Sequence, residues 1–137
     1  MILTEKGREF IACCLCTNCY LQLGTSDNPT NRLSTTNGYA PVPIRWNATA
    51  VENACCMTYD DSTKKLTNTN TFYFPDADGG DWGTVSHIFI TSDSSTSGDN
   101  VLYIGALDTP VRIQNKTRPK FEAGALSITF TFNDGSN

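Results

Sequence analysis

The sequence is poor in the groups that most chemistry needs. It holds one histidine, His87, among 137 residues, and its ten Lys and Arg stand singly or as the pair Lys64-Lys65. With no basic patch alternating with aromatics, nucleic-acid binding has no footing. Long apolar runs are missing too. The longest, "FIACCLC" at residues 10–16, falls far short of the ~20 residues that a membrane-crossing helix requires. No small-residue cleavage site follows it, so a signal peptide is not expected, and the sequons at Asn47 and Asn115 read as chance. The sequence also has no G-x-S-x-G elbow, phosphate-binding loop or H-E-x-x-H pair. An enzyme is not expected.

Cysteine, by contrast, is concentrated. Four of the six fall within "CCLCTNC", as Cys13, Cys14, Cys16 and Cys19, and the other two are the neighbours Cys55 and Cys56. A zinc ribbon needs two separate C-x-x-C pairs some 15–20 residues apart, and two adjacent cysteines make a poor second pair. A thioredoxin-like site needs its C-x-x-C at the start of a helix in a βαβ setting, and nothing here offers one. No metal or cofactor is therefore expected. A chain of this length buries roughly 68% of its unfolded surface, enough for a core without covalent staples. Two readings of the thiols stay open. They can form disulfides, or they can remain reduced, some of them filling the core as small hydrophobes.

The first 16 residues predict a short helix over 3–16. Leu3, Phe10, Ile11 and Cys14 share a stripe with Gly7, and Thr4 is a fitting N-cap. On such a helix, Cβ atoms three residues apart are about 5–6 Å distant, whereas a disulfide wants about 3.5–4.5 Å. Cys13 and Cys16 are thus poorly placed to bond each other. Cys13 and Cys14 point about 100° apart, so one can serve the body and the other a partner. A bond from the helix to Cys55 or Cys56 would pin it to the body.

From residue 20 the apolar period changes to two. "ALSITFTF" (125–132) alternates cleanly, and "TVSHIFIT" (84–91) is apolar on both faces from Ile88 onward. "YLQLGT" (20–25), "TFYF" (71–74), "VLYIGAL" (101–107) and "VRI" (111–113) supply further strands. "PVPIRW" (41–46) is held by its prolines to an edge or a bulge. Clusters rich in Gly, Asn, Ser and Asp separate them. The expectation is one domain over 1–137, with an antiparallel, jelly-roll-like β-sandwich over 20–132 behind the helix. Strand period places His87 on the face of Val85 and Phe89, as a packed residue. Asp76, Asp78 and Asp81 in "DADGGDWG" miss the glycine and glutamate that a calcium loop would need there, so this reads as a surface turn.

The order "YLQLGTSDNP", "NGYAPVPIRW", "FYFPDADGGDWGTVSHIFI", "NVLYIGALDTPVRI" and "FEAGALSITF" resembles small virion proteins of tailed bacteriophages, labelled tail-fibre-like or minor structural proteins. The resemblance covers about residues 3–132. Its most specific parts are residues 81–87, Gly105-Ala106-Leu107 and Ala123-Gly124-Ala125-Leu126. It implies a non-enzymatic virion component made in the host bacterial cytoplasm: a capsid decoration or linking protein, or a collar or fibre-base protein of the neck or tail. It also implies other virion proteins as partners and a homo-oligomer, with a trimer the usual symmetry of such proteins. Trp82, His87, Gly105 and Gly124 would then be architectural. Pro41 stands where the family often has arginine, and the six cysteines are outside its pattern. A rival reading is a module for host-surface carbohydrate, with Tyr39 and Trp46 as candidate loop aromatics; another is a metal-stabilised cytosolic β-domain.

Overall fold

The computed structural model describes residue 4 and residues 19–44, 57–68, 71–122 and 124–129. Within them a four-stranded antiparallel sheet organises the fold. It has the order β2-β1-β6-β7, from β1 (Tyr20–Gly24), β2 (Val42–Pro43), β6 (Gly83–Thr91) and β7 (Val101–Ile113). β3 (Met57–Asp60), β4 (Lys65–Asn68) and β9 (Ser127–Thr129) form a three-stranded sheet, and β5 (Phe72–Tyr73) pairs with β8 (Lys120–Phe121). All pairings are antiparallel. The helix expected over 3–16 lies outside the described residues apart from Thr4, as do residues 130–132 of the last expected strand.

β1 and β6 occupy the middle of the main sheet, and their sequences show why. Both are rich in Leu, Ile, Val and Phe, which suits a strand covered on two faces. Leu21 pairs with Ile90 and Leu23 with Ile88, and all four belong to the principal core. Phe89, between Ile88 and Ile90, points to the opposite face and is also fully buried. β2 lies at the sheet edge, where Pro41 and Pro43 confine it.

Two expectations need correction. "VLYIGAL" and "VRI" are one strand, because β7 runs unbroken from Val101 to Ile113. Its register against β6 slips, however. Val85 pairs with Val111 but His87 pairs with Ala106, so residues 107–110 stand opposite Ser86 alone. That irregularity also reverses the phase of β6. Val85 faces the core together with Ile88, whereas His87 shares the face of Phe89 and not that of Val85.

The core ends in an aromatic cluster. Tyr39 meets Trp82 edge-on at 5.1 Å and stacks on Phe74 at 6.1 Å, and Phe74 meets Phe121 at 6.3 Å. The Tyr39 hydroxyl accepts the β1 backbone N–H of Leu23 at 3.0 Å. Tyr39 is only 3% exposed. It is therefore a core residue and not the loop aromatic that sugar recognition would use. Trp46 falls outside the described residues.

Candidate functional site

Loops gather on the Phe89 face of the main sheet, and Arg32 holds them there. "DNPT" starts a 3-10 turn at Pro29–Asn31, capped by Asn28, whose Oδ1 accepts the Thr30 N–H at 3.0 Å. The turn delivers Arg32 to a buried position against residues 92–100. Its guanidinium donates to Pro29 O (2.9 Å), Gly98 O (3.0 Å) and Ser95 O (3.4 Å), and to Asn100 Oδ1 (2.7 Å). Asn100 in turn donates to Asp93 Oδ1 and to Ser95 O. Hydrogen bonds from the Ser95 N–H and the Asn100 amide, with Arg32 nearby, hold the Asp93 carboxyl below its ordinary 3.8. Beneath the clamp, Gln22 is fully buried and donates to Thr91 Oγ1 and Ser95 O. Its Oε1 has no hydrogen-bond partner among the described residues.

A second cluster forms around "FPDADGGDWG". The backbone carbonyl of Asn37 accepts Trp82 Nε1–H at 2.8 Å and the Asp78 N–H at 2.9 Å. Asn37 and Gly38 both have positive φ, 52° and 83°. A Cβ on Gly38 would sit 2.5 Å from the Asp76 carbonyl oxygen, so only glycine fits. The three aspartates do not converge. Asp78 pairs with Lys116, Asp81 accepts the Asn115 N–H at 2.7 Å and lies 3.6 Å from Arg112, and Asp76 is exposed. The Lys116 hydrogen bond lowers the Asp78 carboxyl, and the same bond raises the lysine. Both side chains are mostly solvent-exposed, so the pair adds little stability. Between this cluster and the Arg32 segment runs a polar groove of about 360 Å³, lined by Thr30, Asn31, Ser34, Thr36 and Asn37 among others.

Ser86 and His87 are the closest approach to a nucleophile–base pair, with Oγ and Nδ1 2.8 Å apart. The serine proton, though, is donated to Thr25 O at 2.8 Å, so Oγ is left to accept from Nδ1–H. This pairing orients the ring and gives the hydroxyl no base. Gly105 lies under the Tyr103 ring, where a Cβ would come 2.8 Å from Cε1. Gly124, at φ 82°, sits in the turn before β9, with its N–H bonded to Asn68 O. Asn68 was not visible as special in sequence. Its buried amide donates to Phe121 O and Glu122 O and accepts the Leu126 N–H, tying the "EAGAL" turn to β4. Of the six cysteines only Cys19 is described. It is 7% exposed, belongs to the core, and its carbonyl accepts the Ile44 N–H. Cys13, Cys14, Cys16, Cys55 and Cys56 lie outside the described residues. Among the described residues no three metal-ligating side chains converge.

The geometry is thus that of a β scaffold with locked loops. The comparison with known families agrees with that character. Residues 9–129 match the family described as podophage GP4 fiber I protein gp80. The chain belongs to that family. No curated protein and no solved structure matches it. It is accordingly a fibre-type structural protein of a tailed phage and a component of the virion. The match begins ahead of β1 and ends with β9, so it takes in both loop clusters and the whole of the main sheet. Arg32, Asn37, Trp82 and Asn68 all fall inside it.

Proposed function

We propose that the protein is a non-enzymatic linking component at the base of a tail fibre, joined to neighbouring virion proteins through disulfides. The family match carries this reading, because a fibre family favours the tail over the capsid surface. The density of thiols supports the covalent part: four cysteines stand within residues 13–19 and two more at 55–56. Cys19 is 7% exposed and packs in the core, so bonds outward are sought first at the other five. In the reducing cytosol where phage proteins are made, such bonds rarely persist. After lysis two facing thiols lose two protons and two electrons to dissolved oxygen and close a bond between subunits. A tether of that kind offsets the weak affinity of a small interface by raising effective concentration.

The test is mass spectrometry of intact particles, alkylated before digestion and without reductant. Peptides joining Cys13, Cys14, Cys16, Cys55 or Cys56 to a second virion protein are the expected result, and they would name the partner. Complete alkylation of all five would refute the cross-link and leave attachment to surface complementarity.

A further inference from the structure

β5 and β8 form a two-stranded ribbon whose faces differ. Phe72 pairs with Phe121 and both pack on the core, so the neighbouring pair, Tyr73 and Lys120, turns outward. Tyr73 is 49% exposed and is the one exposed aromatic among the described side chains. The Arg118 guanidinium lies 4.8 Å from the centre of its ring and donates Nε–H to Phe74 O at 3.0 Å. The backbone is tied on both sides of Arg118. Thr117 O accepts the Ala77 N–H at 2.8 Å, and Pro119 O accepts the Phe74 N–H at 3.0 Å. Arg118 is thus held in place, yet its two Nη nitrogens have no hydrogen-bond or carboxylate partner among the described residues. The surrounding stretch "RIQNKTRPK" (112–120) holds four of the chain's ten Lys and Arg and no acid. Its other three cations, Arg112, Lys116 and Lys120, are matched by Asp81, Asp78 and Glu122.

We propose that the Tyr73–Arg118 pair is the docking surface for an acidic segment of a different virion protein, with Arg118 receiving one of its carboxylates. The surface rests on the linking role proposed above and gives that role a partner chemistry. A planar guanidinium presents paired donors that match the two oxygens of a carboxylate, with more geometric specificity than a point charge. One unmatched cation suits one carboxylate. A nucleic acid would need a row of them, and the cations on either side are already neutralised. Ring and backbone fix the guanidinium before a partner arrives, so little side-chain freedom is lost on binding. Left in water, an ion pair of this kind contributes little. Covered by a segment that packs on the Tyr73 ring, it becomes the sort of Tyr–Arg centre that dominates interfaces. A second copy is a poor occupant, because the chain carries −4 and repels another acidic molecule.

The test is competition for a place in the particle. Infected cells make wild-type and variant full-length chains together, and mass spectrometry of particles washed under reductant gives the ratio retained. Arg118→Met and Tyr73→Ser should each be retained at least about tenfold less than wild type. Arg118→Lys should fall between, keeping the charge without the fork. Lys65→Met removes the same charge from a different sheet and should be retained at parity. Circular dichroism of the purified chains confirms that each variant is folded. In particles carrying Arg118→Lys, a carbodiimide should couple position 118 to an Asp or Glu of another virion protein. Parity for Arg118→Met or Tyr73→Ser, an equal loss with Lys65→Met, or coupling of position 118 only to a second copy of this chain would each overturn the proposal. None of these outcomes touches the linking role itself, which the disulfide-joined peptides of intact particles decide separately.

Discussion

Replacing Arg32 with methionine keeps the apolar stem and removes the guanidinium that fastens residues 92–100 and the 3-10 turn over Phe89. Four hydrogen bonds disappear. Hydrogen bonds to a charged group contribute about 1.5–3 kcal/mol each, so the gross loss is about 6 kcal/mol or more. Two effects reduce it. The acceptors are mostly part-buried carbonyls that water can reach once the loop loosens, and a buried guanidinium carries a desolvation cost that methionine does not. Pairing with backbone oxygens and an amide, with Asp93 held one residue away through Asn100, recovers that cost only in part. A net destabilisation of about 3 kcal/mol remains. Arg32→Lys should fall between, since one ammonium cannot reach acceptors on both segments in a fork. Urea unfolding gives the magnitude, and hydrogen exchange gives the location: amides of 92–100 should lose protection before those of β1 and β6. Arg32→Met within about 1 kcal/mol of wild type, with exchange of 92–100 unchanged, would refute the clamp.

Other expectations follow from single contacts. Burial pushes the Tyr39 hydroxyl up to about 12, against the lowering effects of the Leu23 N–H and Arg32. A raised folded value means that its contribution is complete below pH 10 and is lost as the pH climbs towards 12. One of the five tyrosines should therefore titrate late in absorbance at 295 nm. Tyr39→Phe should abolish that step and cost about 1–2 kcal/mol through the unpaired Leu23 N–H. Gly38→Ala meets both the Asp76 carbonyl and a positive φ, so thermal melting should show a loss of more than about 2 kcal/mol. Asn68→Ala strands the buried Leu126 N–H and two carbonyls, and should cost about 3 kcal/mol in urea melts. Its loss should fall first on exchange at 122–129.

The short segment "TVSHIFIT" shows both the reach of the sequence and its limit. Its β-branched and aromatic residues, apolar on both faces from Ile88 onward, marked a strand covered on two sides, and β6 spans Gly83–Thr91. The side of the sheet that His87 faces was not legible, because it depends on how residues 107–110 bulge opposite Ser86, a non-local event with no period of its own. The two prolines confined "PVPIRW" to an edge or a bulge for a local reason, since proline lacks the donor that a central strand must give, and β2 takes the edge. The hairpin β3–β4 was missed. "MTYDDSTKKLTN" is dominated by polar residues and is held as strands by pairing with β9 from 60 residues downstream, together with an Asx turn at Asp60.

The candidate sites divide in the same way. Backbone requirements are local, and so the clusters rich in Gly, Asn, Ser and Asp announced turns, among them the one at Pro29–Asn31 that Asn28 caps. Arg32, Gln22, Asn68 and Asn100 are polar residues that composition assigns to the surface, and they are buried because carbonyls from distant loops converge on them. Tyr39 went the opposite way from its loop setting, drawn into the core by Trp82 and Phe74. Alternation and turn chemistry are short-range, so the sequence by itself determined the β character and most of the strands of the main sheet. Which face each residue serves and which polar groups are locked inside depend on register between segments far apart in the chain, and only the tertiary structure decided them.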